Sequence, residues 1–338
     1  MTVFKRVARL AVRCGFHCAA RLNSRWTARL GSRRRFVILA LHSVSGPADA
    51  HHRYVSPRIA VPPRVFERHV AFLAHRYHCV SMDAVHEALA SRRELPPNTV
   101  AITFDDGYRD NYDYAYPILR RYGVPATFYV VTGCLDGRGV FWPAEVRRLL
   151  YHASGLRYSD RTEREAAAWM SRLARMSRPD RDDALDELAA LAGARRGAPP
   201  SPMLTWSQIR EMHRGGMSFG SHTVSHPLLP SVSSEEARRE IEDGRAELEA
   251  GLGAPVAHFS YPNPSDGVHV NGPVRQLVQD TGYETAVTSV RGYVLATADR
   301  YALPRMSLSG TPWAMPWDVE RLALHAALRP DRAVGATP

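Results

Sequence analysis

The sequence predicts an α/β fold built on a parallel sheet. Short, unbroken apolar runs, the pattern of strands buried on both faces, take turns with amphipathic helical segments. Polar, chemically capable residues stand directly after those runs: His42, Asp105 with Asp106, His222 and Asn263. In parallel α/β folds the chemistry gathers at the carboxyl ends of strands, so different strands deliver these groups to one mouth.

The elements follow in order. "FVILALH" (36–42) is a continuous apolar run ending on His42. Prolines open "PPRVFERHVAFLAHRY" (62–77), where Val65, Phe66, His69, Val70 and Leu73 are spaced as one helical face. "HCVSM" predicts a short strand and "DAVHEALAS" a helix opened by Asp83. "NTVAITF" is the next strand, "YPILRRYG" a short helix stopped by Gly123, and "PATFYVV" (125–131) another buried strand. Residues 143–200 change character, being rich in Ala, Arg, Glu and Asp, and predict a helical insertion between strands. "TWSQIREMHRGG" carries a capping box at Thr205 and Gln208 and a glycine stop. The strand "MSFGSHT" follows, then a charged surface helix with its own box at Ser233 and Glu236. "VAHFSYP", "GPVRQLVQDTG" and "YETAVTS" complete the alternation as strand, helix and strand.

Composition fits a globular chain: 338 residues, 45% hydrophobic and 23% charged, enough for a substantial core rather than disorder. The net charge of +10 is unevenly placed. Ten of the 44 Lys and Arg lie in residues 1–35, which hold no Asp or Glu; the other 34 balance 34 acidic residues. In that segment Phe4, Val7, Leu10 and Ala11 stand at helical spacing among arginines, and Trp26 adds a further apolar group. It is either an interfacial helix on an anionic membrane or a helix packed on the domain with its arginines in water. A nucleic-acid arm or an organelle presequence has a similar pattern, though nucleic acid is not the expected partner. No apolar stretch is long enough for a secretory signal or a membrane span, so the expectation is a cytoplasmic protein, peripheral at the membrane surface. Cys14, Cys18, Cys79 and Cys134 form no C-x-x-C pair and are expected to be reduced thiols.

The chemistry starts from "VAITFDDGYRDN". Asp105 and Asp106 end a buried strand, where adjacent carboxylates repel and desolvation is costly unless a cation compensates them. "GSHTVSHPLLP" adds His222 and His226, which at i, i+4 in one helical turn face the same way and can share a metal ion. Two imidazoles and one carboxylate make a hydrolytic metal site with open positions; the second carboxylate stays free as a general base toward water. Neighbours in a strand point to opposite faces, so the pair must sit where the strand becomes a loop, with Gly107 permitting the bend.

These residues resemble the polysaccharide deacetylase family, carbohydrate esterase family 4, also called the nodulation-factor deacetylase (NodB) homology domain. "TFDDG" at 103–107 resembles its first motif, "HTVSHP" at 222–227 its second and "FSYPNP" at 259–264 its third; the likeness extends over about residues 36–310. The resemblance implies a distorted (β/α) barrel of fewer than eight strands and metal-dependent removal of N-acetyl groups from amino sugars. It implies Asp105 as the base and Asp106, His222 and His226 as ligands to zinc, with cobalt or nickel as alternatives. The loop of Tyr261 and Asn263 would face the substrate, Asn263 offering a backbone N–H to the oxyanion.

The chain departs from the family pattern in three places. Ser260 stands where many members carry Arg, so Arg305 in "LPRMSL" is the candidate that orients Asp105. Pro264 stands where Gly is usual. The family's late Leu-x-His motif supplies a general acid; "LALH" matches it at His325, but His42, ending the first strand, is better placed. The expected layout is a basic helical extension at 1–35, a deacetylase domain at 36–325 with its insertion at about 143–200, and a tail at 326–338. The expected substrate is an N-acetylated sugar, glycan or glycolipid. The competing readings are another amide, formamide or ureide hydrolase on the same fold, and a carbohydrate- or membrane-binding module without activity.

Overall fold

The structure is a computed structural model that describes residues 35–308, apart from 47, 48, 50, 51, 97, 156–158, 198–200 and 264–267. The basic extension before Arg35, Cys14, Cys18, Pro264, His325 and the tail at 326–338 lie outside the described residues.

The chain opens with β1 (Arg35–Leu41), α1 (Pro63–Arg76), β2 (His78–Val80), α2 (Met82–Ala90) and β3 (Thr99–Phe104). It continues through α3 (Tyr116–Tyr122) and β4 (Thr127–Val130). Three helices then precede the next strand's own helix: α4 (Trp142–Ala153), α5 (Asp160–Leu173) and α6 (Arg178–Leu191). The alternation resumes with α7 (Trp206–Arg214), β5 (Ser218–Ser221), α8 (Ser234–Leu252), β6 (His258–Ser260) and α9 (Gly272–Asp280). It ends with β7 (Thr285–Arg291), β8 (Val294–Leu295) and β9 (Leu303–Ser307). Arg35, counted with the basic segment from the sequence, is the first residue of β1.

Seven parallel strands close into a barrel in the order β1-β3-β4-β5-β6-β7-β9, with β9 returning to β1. The register of β1 on β3 pairs Leu39 with Ile102 and Leu41 with Phe104. β2 extends β3 outward, and β8 runs antiparallel to the start of β1. Every residue of β3 is buried, because one face fills the barrel and the other lies under helices. Phe104 and Phe128 stack at 4.7 Å between neighbouring strands.

Local signals set the boundaries. Thr205 and Gln208 form the expected reciprocal capping box of α7. Gly123 ends α3 at φ +63°, where an L residue would be strained. The start of α2 differs from expectation: Ser81 caps it by accepting from the Ala84 N–H. Asp83 instead reaches across to His258 of β6, so a tertiary partner outweighs a local cap. The insertion α4–α6 buries its own cluster of Trp142, Val146, Leu149, Leu173, Leu185 and Leu188, together with Leu228 from the loop after β5. That contact fastens the insertion to the mouth of the barrel.

Candidate active site

The turn after β3 sets the geometry. The Asp105 N–H still extends the ladder, donating to Leu41 O at 2.9 Å. Asp106 and Gly107 then take φ of +75° and +83°. Two successive left-handed residues end the strand alternation, so both carboxylates serve the mouth. Asp tolerates this region better than most residues, whereas a Cβ on Gly107 would also meet Val130 Cγ1 at 3.0 Å.

Asp106 meets the two histidines. Its Oδ1 lies 3.6 Å from His222 Nε2 and 3.4 Å from His226 Nε2, and those two nitrogens are 3.2 Å apart. All three residues are buried. The histidines do not lie on a helical turn as their spacing suggested. They occupy an irregular loop in which Thr223 and His226 have φ of +68° and +60°. Residue His222 ends the β5 ladder, and its Nδ1 donates to Ser260 O at 2.7 Å, which leaves Nε2 as an acceptor. Burial pushes His226 down to about 3, with His222 adding to the shift, so its ring is neutral and has one nitrogen able to accept. Burial opposes ionisation of Asp106, yet the neighbouring His222, His42 and His226 hold its carboxyl below the usual range.

Three acceptors therefore converge. A tetrahedral zinc ion with ligands at about 2.0–2.1 Å separates its donor atoms by about 3.3–3.4 Å. The triangle of Asp106, His222 and His226 has that size, and its donor set suits a borderline metal with open positions.

Asp105 sits in a different field. Arg305 of β9 meets it with both arms, Nη1 to Oδ1 at 2.8 Å and Nη2 to Oδ2 at 2.6 Å. The same guanidinium donates to Thr103 Oγ1, Ser260 Oγ and Thr288 O. Ser260 Oγ also donates to Asp105 Oδ1, at 3.2 Å. Burial would raise the Asp105 pKa, but Arg305, His222 and His42 hold it well below the usual carboxylate range. The small side chain at 260 thus makes room for a guanidinium arriving from another strand.

Residues 92–286, over half of the chain, match the family described as polysaccharide deacetylase. The chain belongs to the polysaccharide deacetylase family. Its members are hydrolases of carbon–nitrogen bonds other than peptide bonds. Among relatives, YxkH of Bacillus subtilis (strain 168), which carries a polysaccharide deacetylase name, is 23% identical over 273 residues, covering 80% of this chain and 71% of that protein. The poly-β-1,6-N-acetyl-D-glucosamine N-deacetylase of Escherichia coli (strain K12) is 32% identical over 101 residues, 30% of this chain and 14% of that protein. Two solved structures share the fold. The Streptococcus pyogenes deacetylase PplD in complex with acetate has a TM-score of 0.59 at 22% identity, covering 86% of this chain and 98% of that one. IcaB from Ammonifex degensii has a TM-score of 0.57 at 19% identity, covering 86% and 97%.

In this deacetylase chain a cavity of ≈ 230 Å³ opens over the two carboxylates. His42, Asp105, Asp106, His222, His226, Tyr261, Asn263 and Arg305 all line it. His42 is half-buried, and its carbonyl accepts from Asn111 Nδ2 at 2.8 Å. The polar donors of Tyr261 are engaged elsewhere: its N–H donates to Val287 O and its hydroxyl to Tyr301 O. Asn263 donates its amide to Ser289 Oγ at 2.7 Å, while its Oδ1 has no partner. Tyr108 is 2% exposed and lines the cavity. Sequence reading missed Arg147 and Met170, which bring the insertion to the cavity wall. It also missed Arg181 and Glu240, buried charges behind the His226 loop. None of the four carries a local motif, because their partners lie far along the chain.

Proposed function

We propose that this protein removes the N-acetyl group from an amino-sugar unit of a glycan or glycolipid, with zinc as the resident metal. The carrying observation is the convergence of Asp106, His222 and His226 at 3.2–3.6 Å beside a separate carboxylate clamped by a guanidinium. A divalent cation in that triangle supplies Lewis-acid polarisation of the acyl oxygen and makes water a nucleophile near neutral pH.

Asp105 acts as the general base. It stays ionised through Arg305, and it takes a proton from water as the water oxygen bonds to the acetyl carbon. Asn263 gives its backbone N–H to the oxyanion that develops. His42 then protonates the sugar nitrogen as the carbon–nitrogen bond breaks, leaving acetate and a free amine. The Escherichia coli relative, named for N-deacetylation of a β-1,6-linked N-acetylglucosamine polymer, supports this substrate class over the matched 101 residues. Acetate release from N-acetylated amino sugars and their oligomers is expected with zinc and is abolished by chelator. Release of formate or ammonia instead, from formamides or ureides, would move the reading to another hydrolase on this fold.

The ten cationic side chains of residues 1–35 give a second proposal, peripheral contact with an anionic membrane. Each Lys or Arg held near such a surface contributes about 1 kcal/mol at low screening. Binding to anionic vesicles should be salt-sensitive and lost on deleting residues 1–34, which leaves β1 whole. Equal binding by both forms would remove this proposal.

A further inference from the structure

The loop that carries His226 is held in a shape its own sequence disfavours. Thr223 and His226 both take left-handed φ, and for a β-branched threonine that region is a genuine outlier. Such conformations persist when surrounding groups over-determine them. Inside the loop, Thr223 Oγ1 accepts from the His226 N–H at 3.0 Å.

The outside holds it from two sides. From α8, Glu240 accepts from the N–H groups of Val224 and Ser225 at 2.9 and 2.7 Å and from Ser225 Oγ at 2.6 Å. From the insertion, Arg181 Nη2 donates to Ser225 Oγ at 2.9 Å, with its guanidinium 5.6 Å from the Trp142 ring. Trp142 donates its indole N–H to His226 O at 3.1 Å, and Phe141 sets its ring edgewise to the His226 imidazole at 5.3 Å. Leu228 N then donates to Ala174 O, also in the insertion. Close packing completes the grip: a Cβ on Gly244 of α8 would stand 2.7 Å from Ser221 Oγ.

Arg181 is 3% exposed and Glu240 is 5% exposed. Neither lines the cavity. Burying both charges is poor value for stability alone, since desolvation offsets much of their attraction. We infer that Trp142, Arg181 and Glu240 are positioning residues for His226, so that the helical insertion forms part of the metal site and sets its affinity for a divalent cation. They act through the backbone of residues 223–226, which aims the imidazole at Asp106 and His222.

The inference rests on Asp106, His222 and His226 being the ligands, so its test separates the two. Zinc affinity of the full chain is measured by competition with a chromogenic chelator, alongside the melting temperature of the zinc-free protein. Trp142→Phe, Arg181→Met and Glu240→Gln should each weaken zinc binding by about 10–100-fold, with turnover recovering at saturating zinc. Arg161→Met, an exposed insertion residue paired with Glu165, should leave the affinity unchanged. Asp106→Ala should abolish binding. Wild-type affinity in both Trp142→Phe and Glu240→Gln, with binding still lost in Asp106→Ala, would overturn the inference and keep the ligands. Failure of the wild type to bind zinc stoichiometrically would overturn both. Trp142→Phe removes the indole N–H together with part of a buried bicyclic ring, so the melting temperature of the zinc-free protein separates lost packing from lost zinc affinity. Glu240→Gln, which keeps its shape, decides the matter even where Arg181→Met does not fold.

Discussion

The two ends of the barrel use the same side-chain types to opposite effect. At the base, His258 at the start of β6 sets Nε2 3.0 Å from Asp83 Oδ1 and Nδ1 2.9 Å from Thr285 Oγ1. Ser218 donates to the other Asp83 oxygen at 3.2 Å. Every donor there has an acceptor, and the hydrogen bond from His258 is the main reason Asp83 falls to about 2. At the mouth, two imidazole nitrogens and a carboxylate oxygen face one another with His222 Nδ1 already committed to Ser260. The base is a completed network that stabilises the fold. The mouth is a set of converging acceptors that the proposed cation would complete. What separates structural from functional histidine here is the count of donors against acceptors.

The sharpest way to break this contrast is to remove an acceptor from the mouth. Asp106→Ala should lose stoichiometric zinc and turnover together, as read by metal analysis and acetate release. Zinc retained by this variant would show that the mouth needs no cation there. Asp105→Asn comes next in size. It keeps the shape beside Arg305 and removes the base, so zinc should remain while turnover falls by roughly 10²–10⁴. The reverse pattern, zinc lost in Asp105→Asn and kept in Asp106→Asn, would exchange the two roles.

The smallest effect belongs to the base. Asp83 is depressed below its ordinary value, so its contribution is present above about pH 4 and is lost as the pH falls toward about 2. Its side chain is 58% exposed, and solvent screening limits the contribution to about 1 kcal/mol. Asp83→Asn should lower stability by that amount at pH 7 in denaturant titrations. The gap from wild type should close between pH 4 and 2, with zinc affinity and turnover unchanged. A change in zinc affinity would mean that the two ends are not independent.

Much of this was legible in the sequence. Apolar runs such as 36–41 and 100–104 announce strands covered on both faces, and adjacent aspartates before Gly107 announce a strand end where buried carboxylates gather. Helix starts were legible where the cap is local, as at Thr205, and misread where it is not: Asp83 answers to a histidine 175 residues away. The i, i+4 spacing of His222 and His226 suggested a helical turn, because periodicity carries no information about positive φ. Arg305 was legible only as a candidate, since its meeting with Asp105 spans 200 residues. Arg181 and Glu240 gave no signal, because a buried charge in a charge-rich helical segment looks like a solvated one until its partners are known.

The guanidinium clamp has a consequence for the order in which the molecule is made. Arg305 stands on the last strand to join the barrel, and it bonds to groups on β3, β6 and β7 at once. Synthesis runs from the N-terminus at about 5–20 residues per second, so Asp105 exists for about 10–40 seconds before its partner. During that interval a carboxylate meant for a dry interior has no cation beside it and must stay in water. Closure of the barrel and neutralisation of Asp105 are therefore one event. The pair of Asp105 and Arg305 is assembled only in a molecule whose final strand has docked.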